Sequence, residues 1–129
     1  PRAVLTDYRG VLQTDGAAAL DALGVPGAVT HVGCWVHARR KFVQAVRLGD
    51  SRAGPYLAQL DRLFRHDARA RRIVAAEPRH AERVAGWRAR LGEPLPEALS
   101  ARAAADALAL PPKTALGQAG GYLLAQRAP

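Results

Sequence analysis

The chain has 129 residues, which suits one domain or part of one, and its 49% of hydrophobic residues is enough for a buried core. Nineteen Lys and Arg, nearly all arginine, against 11 Asp and Glu give a formal net charge of +8, which favours a polyanionic partner such as nucleic acid. The arginine-rich composition of a GC-rich genome would produce the same charge. A single cysteine excludes an internal disulfide and indicates a reducing, cytosolic setting, and the sequence contains neither a signal peptide nor an apolar run long enough for a membrane span.

The first 48 residues mix strand and helix. Residues 11–14 are typical of a short strand, which the Asp15-Gly16 turn ends. A short helix is predicted over residues 17–23, a second strand over residues 29–36 and a second helix over residues 37–48. Two strands do not complete a sheet, so we expect the remaining strands of an antiparallel or mixed sheet to lie upstream.

From residue 49 onward the strand signals vanish and apolar residues recur at helical spacing. Proline- and glycine-rich breaks separate the predicted helices. The first has Pro55 in its first turn and ends at Glu77-Pro78, and the second carries Val84, Trp87 and Leu91 on one side. A third is predicted over residues 97–110. The last is predicted over residues 114–126, with Leu116, Ala119, Tyr122 and Leu123 in phase on one face.

Asp15 is the first candidate for chemistry. A carboxylate at the carboxyl end of a strand can reach out of the sheet and coordinate a hard cation such as Mg²⁺. An ordinary Asp-Gly turn is the other interpretation, and spacing alone favours it. Asp7 and Asp21 are weaker candidates, because Asp7 precedes the strand and Asp21 lies in a predicted helix.

Cys34 and His37 have the spacing of half a zinc site. No second such pair exists in the sequence, and His31 would point to the opposite face of the strand from Cys34. We therefore expect no zinc. Cys34 is expected to be a small buried apolar residue, and His37 to be hydrogen-bonded at the junction of strand and helix.

Two groups of basic residues have two interpretations each, a DNA-binding surface or a solvated helix face. The groups are Arg39, Arg40 and Lys41 at the start of a helix, and Arg62, Arg65, Arg69 and Arg72 on one face of the next helix. Asp61 and Asp67 lie near enough to pair with some of the second group, which favours the solvated face. Trp87 is expected in the core, because it falls in phase with Val84.

The order of these motifs resembles a known family. Residues 10–16 (GVLQTDG), followed after a spacer by residues 34–42 (CWVHARRKF), are similar to the central region of transposases of the insertion sequence 66 family. Residues 111–119 (PPKTALGQA) resemble the stretch before that family's last catalytic motif. The chain departs from the family pattern at Thr114, usually serine, at Ala17, usually aromatic, and at residues 63–67 (LFRHD), where the match is looser.

The resemblance implies a mixed α/β fold. Residues 1–48 would form part of a ribonuclease H-like catalytic core, residues 49–110 an α-helical insertion, and residues 111–129 a helical return toward the core. The first catalytic aspartate of the family would lie upstream of Pro1 and its glutamate beyond Pro129. The absence of any methionine and the start at Pro1 fit a fragment of such an enzyme.

The activity implied is that of an Asp-Asp-Glu transposase, which uses two Mg²⁺ ions to cut DNA at the ends of an insertion sequence and join them to a target. Asp15 would be catalytic and a metal ligand, and this chain alone would lack the other two acids. DNA-binding residues would be Arg39, Arg40 and Lys41, and site-supporting residues Cys34, Trp35 and His37.

DNA is thus the expected partner, with no membrane, a possible homodimer, and a location in the bacterial cytoplasm at the nucleoid. Two alternatives stay open. One is a non-catalytic transposase remnant that binds DNA through its arginines, and the other is a basic helical module that binds an acidic protein.

Overall fold

The computed structural model describes residues 5–16, 23, 25–73, 79–92 and 94–126. Within those ranges the chain is mixed α+β and mainly helical. The elements are β1 (Gly10–Gln13), β2 (Val29–Val32), α1 (Trp35–Arg47), α2 (Gly54–Ile73), α3 (His80–Trp87), α4 (Pro94–Ala109) and α5 (Ala115–Ala125). A 3-10 turn (Ser51–Ala53) precedes α2, and a π-helical turn (Arg88–Gly92) follows α3. No helix in the described ranges is long and apolar enough to cross a membrane.

β1 and β2 pair in parallel, with Gly10 opposite Val29 and Gln13 opposite Val32. The parallel pair excludes an all-antiparallel sheet, and a mixed sheet completed by further strands stays a prediction. Parallel neighbours need a connection of a dozen or more residues, and residues 14–28 are long enough to return the chain to the edge from which β1 starts. The helix predicted over residues 17–23 lies outside the described residues except for Leu23, which is buried.

The second strand is shorter than the sequence predicts, because Trp35 already belongs to α1. The alternation of apolar residues through Val36 is typical of a strand, but the buried residues Ala38, Phe42 and Ala45 continue at helical spacing. Cys34 has extended backbone angles and stands at the N-cap position. The chain thus changes from strand to helix within Gly33-Cys34, directly at the edge of the sheet.

One hydrophobic core joins α1, α2, α4 and α5. The rings of Phe42 and Tyr56 stack with their centroids 4.4 Å apart, and Leu60 and Leu99 are fully buried beside them. Burying each large apolar side chain contributes about 1.5–3 kcal/mol. The residues of this core come from α1, from the helical middle and from α5, and a division into three domains stays a prediction.

The last helix confirms most of its predicted apolar face. Leu116, Ala119 and Leu123 are buried in α5, and the Thr114 hydroxyl caps the helix by accepting a hydrogen bond from the backbone N–H of Gly117 at 3.1 Å. α4 begins at Pro94, three residues before the predicted start. As predicted, Pro55 lies in the first turn of α2, where proline costs no helical hydrogen bond.

Candidate functional site

Asp15 lies two residues beyond the end of β1, at the carboxyl edge of the strand pair, and it is exposed. Two contacts fix the backbone around it. The Gly16 N–H donates to the Thr14 hydroxyl at 3.2 Å, and the Tyr122 hydroxyl of α5 donates to the Asp15 backbone carbonyl at 2.8 Å. The sequence prediction of a carboxylate just past a strand end is therefore confirmed. Its anchor, 107 residues away along the chain, had no signal in the sequence.

The end of α5 closes against both strand ends. The Gln126 side chain lies between Gly16 and Gly33, and a Cβ atom at either glycine would clash with it. At Gly16 the far end of the Gln126 side chain could move aside, but φ is +77°, which favours glycine. At Gly33 the clash is with the Gln126 Cβ, which is fixed by the helix. Glycine is therefore required where β2 passes into α1.

Tyr122 also connects the Asp15 turn to α1. The Lys41 ammonium lies 4.9 Å from the centre of the Tyr122 ring, within the range of a cation–π contact. Burial raises the pKa of the Tyr122 hydroxyl, and electrostatic interactions with Cys34 and Asp15 raise it further. An ordinary tyrosine is already protonated at neutral pH, so the hydroxyl is a donor to the Asp15 backbone carbonyl there.

The predicted DNA-binding run divides into three different environments. Arg39 Nε donates to the Asp61 carboxylate of α2 at 2.7 Å, and this bond raises the pKa of Arg39 and lowers the pKa of Asp61. Lys41 is half-buried over the Tyr122 ring. Arg40 is exposed. Arg40 is therefore the most accessible of the three to a ligand from solvent.

The predicted supporting residues meet at the start of α1. Trp35 is half-buried and packs partly against the core. Cys34 is half-buried, not fully buried as expected, because it faces an open cleft. The expected hydrogen bond of His37 is not made through Nδ1, which is buried and, among the residues that the structure describes, has no partner. His31 Nδ1 is likewise buried and has no hydrogen-bond partner among the described residues.

Neither Asp15 nor the Cys34–His37 pair belongs to a metal-binding cluster of the described residues. No group of three or more His, Cys, Asp or Glu in those ranges is arranged to hold an ion. Asp15 alone provides one carboxylate at most, whereas a pair of metal ions requires several.

An open cleft of about 790 Å³ lies beside the same edge of the sheet. Its walls come from the end of β1, the start of α1, and helices α2 and α3 with the segments that follow α3. They include Gln13, Cys34, Trp35, Phe64, Trp87 and Pro96. Trp87 was expected in the core, but it is half-buried in this wall. The helical spacing correctly placed Trp87 on the same face of α3 as Val84. Only the packing of α3 shows that this face is partly open to the cleft.

Two arginines of the cleft share one carboxylate. Arg88 Nε and Arg71 Nε donate to the two oxygens of Asp67 at 2.7 and 2.8 Å. Mainly through the bond from Arg88, this arrangement lowers the pKa of Asp67. Two guanidinium groups against one carboxylate leave a net positive charge on the wall, which suits an anionic ligand.

The predicted arginine face of α2 is present. All four of its members are exposed, namely Arg62, Arg65, Arg69 and Arg72. The expected pairing of Asp61 and Asp67 with this face is wrong, because their partners at hydrogen-bond distance are Arg39, Arg71 and Arg88. The face therefore offers its guanidinium groups to solvent.

A comparison with known protein families finds one match that covers the whole chain: the model of the transposase IS66 family matches residues 1–129. Neither a curated protein nor a solved structure matches the chain.

Proposed function

The chain belongs to the transposase IS66 family, and we propose that it forms the central part of an Asp-Asp-Glu catalytic region in which Asp15 is the second acid. Membership of the family supports transposition as the function in general, DNA as the partner and a dependence on divalent metal ions. The ribonuclease H-like core, the identity of the metal as Mg²⁺ and the cleavage and joining of insertion-sequence ends are the finer parts of the proposal.

The position of Asp15 is the observation that supports this proposal. Its carboxylate is exposed just past the carboxyl end of a strand in a parallel pair, the edge at which α/β sheets place their ligands. An ordinary surface turn needs no long-range anchor, whereas this one is held by Tyr122 and bordered by Gln126. Such bracing limits the movement of the carboxylate, as a metal ligand requires.

The described residues alone do not form a two-metal site. Two metal ions in phosphoryl transfer stabilise the attacking and the leaving oxygen. In the proposal Asp15 supplies one ligand of that pair. In the same proposal the other two acids come from segments outside residues 1–129.

Three basic residues of α1 supply the proposed DNA contacts. Arg40 is exposed on α1 and contacts a phosphate directly. Arg39 contacts phosphate through the guanidinium N–H groups that its ion pair with Asp61 does not use. Lys41 adds positive charge beside the Asp15 turn. Cys34, Trp35 and His37 hold the start of α1 against the sheet edge. The homodimer and the cytoplasmic, nucleoid-associated location remain proposals that rest on the resemblance.

Replacing Asp15 in a complete transposase that carries this chain tests the assignment. Asp15→Ala should leave DNA binding in a gel-shift assay unchanged and abolish strand transfer. Asp7→Ala is the matched control, because Asp7 is also an exposed aspartate and precedes the same strand. Strand transfer that persists in the Asp15 variant would contradict the assignment of Asp15 as a catalytic acid.

A non-catalytic DNA-binding role is the second candidate, and the exposed arginine face of α2 favours it. Four phosphate contacts would make log K fall with log salt at a slope of about −3.6. Replacing Arg62, Arg65, Arg69 and Arg72 by glutamine should flatten that slope. A protein-binding module would instead show a weak salt dependence with DNA and no change on this substitution.

A further inference from the structure

Both tryptophans of the chain lie in the wall of one open cleft. Trp35 comes from the first turn of α1 and Trp87 from the last turn of α3, and each is half-buried. Phe64 of α2, one of the two phenylalanines, lines the same cleft. Phe42 and Tyr56 are fully enclosed in the core, whereas these three aromatic side chains border open space. Their concentration around open space indicates a surface on which a flat ring can stack.

The charge of the cleft indicates what accompanies that ring. Arg71 and Arg88 share the single carboxylate of Asp67, so the wall carries a net positive charge. Each guanidinium has five N–H donors, and the bond to Asp67 uses only the Nε of each. The remaining donors suit the oxygens of a phosphate. Aromatic planes beside phosphate-binding groups are the recurring features of sites for unpaired nucleotides.

The location of the cleft connects it to the proposed catalytic edge. Gln13, the last residue of β1, lines the cleft and precedes Asp15 by two residues. Cys34, where β2 passes into α1, lines it from the neighbouring strand. A DNA strand whose backbone passes Asp15 could therefore place a base into the cleft without leaving this edge. The cleft volume of about 790 Å³ is within the range of small-molecule sites.

We propose that this cleft binds an unstacked nucleobase of the DNA strand on which Asp15 acts, between Trp87, Phe64 and Trp35, with its phosphate near Arg71 and Arg88. This inference rests on the proposed function. Enzymes that work on DNA extrude a base when stacking on aromatic side chains compensates for the lost pairing. Holding one base outside the duplex would fix the strand in register beside Asp15.

Coupling between a cleft residue and a single base tests the proposal. DNA carrying the element end is prepared with an abasic site at each successive position near the cleavage point, and its affinity is measured for the complete transposase. Trp87→Leu removes the aromatic plane and keeps apolar bulk. Trp87→Leu should weaken the binding of intact DNA about tenfold. For the wild-type protein, an abasic site at one particular DNA position should weaken binding by a similar factor. Abasic DNA at that position should bind both proteins equally.

Trp87→Phe is the matched control, because it keeps a smaller aromatic plane and should retain most of the coupling. Circular dichroism establishes that each variant is folded, and Phe64→Leu provides a second variant of the same wall. The proposal would be overturned if, at every position of the abasic site, the affinity losses from Trp87→Leu and from the abasic site were independent, so that the double change cost the product of the two factors. The same holds if Trp87→Leu leaves the affinity for DNA unchanged, which would point to a protein segment as the occupant.

The two proposals fail separately. Binding affinities report the cleft, and strand transfer by the Asp15 variant reports the catalytic assignment. Lost transfer without base coupling would contradict the cleft alone. Base coupling with persistent transfer in Asp15→Ala would contradict the catalytic role and leave a cleft that holds a base for another purpose.

Discussion

Replacing Tyr122 by phenylalanine removes one hydroxyl group and nothing else from the site. That hydroxyl donates to the Asp15 carbonyl at 2.8 Å, and a hydrogen bond of this kind contributes about 0.5–1.5 kcal/mol net. The aromatic ring under Lys41 is retained, so the cation–π contact persists. Loss of the bond lets the Asp15 turn move relative to α5. A loss of about 1 kcal/mol in positioning corresponds to a roughly fivefold slower reaction.

Tyr8→Phe provides a matched comparison. The Tyr8 hydroxyl donates to the Val11 carbonyl at 2.7 Å, so the two substitutions remove the same kind of bond, each to a backbone carbonyl in or just after β1. Urea unfolding of the chain should show similar losses of stability for both variants. Strand transfer by the complete transposase should slow about fivefold only for Tyr122→Phe. Equal slowing by both variants, or none by Tyr122→Phe, would refute the idea that Tyr122 positions Asp15.

Three further predictions concern stability. Gly33→Ala should lower the free energy of unfolding by about 1–3 kcal/mol, because the new Cβ meets the Cβ of Gln126, and Gln126→Gly should recover part of this loss in urea titrations. A double-mutant cycle of Arg39→Gln and Asp61→Asn should give a coupling of about 0.2–1 kcal/mol, since both side chains are partly exposed; a coupling near zero would show that the pair does not fix α1 to α2. Burial and the hydrogen bond to Asp106 raise the pKa of Tyr56 in the folded state. The stability that this group provides is therefore complete below the ordinary tyrosine pKa of about 10 and is lost as the pH rises above it. The dependence of unfolding on alkaline pH should differ between wild type and Tyr56→Phe, and identical curves would contradict the hydrogen bond.

The sequence predicted those parts of the fold that depend on local pattern. Pro55 marked the start of α2, and the spacing of Leu116, Ala119 and Leu123 gave the buried face of α5. The same local reasoning extended β2 too far, because the alternation up to Val36 matches both a strand and the first turn of a helix. Only the burial of Phe42 and Ala45 decides between them, and burial depends on the other helices.

The candidate site shows the same division. Asp15 at a strand end followed from the Asp-Gly turn and the family motif. Its anchors Tyr122 and Gln126 did not, because the direction of a hydroxyl or amide across the whole chain has no periodic signal. Arg39 illustrates the limit for charge. A basic run indicates a DNA surface, but Arg39 forms an ion pair with Asp61, which lies 22 residues further along the chain.

The most direct test of the central claim is strand transfer by Asp15→Cys in a complete transposase, measured with Mg²⁺ and with Mn²⁺. A thiolate is a poor ligand for the hard Mg²⁺ ion, and Mn²⁺ binds such mixed ligand sets more tightly. If Asp15 ligates the catalytic metal, transfer should be lost in Mg²⁺ and partly restored in Mn²⁺, while Asp7→Cys stays active in both. Full activity of Asp15→Cys in Mg²⁺ would contradict the claim.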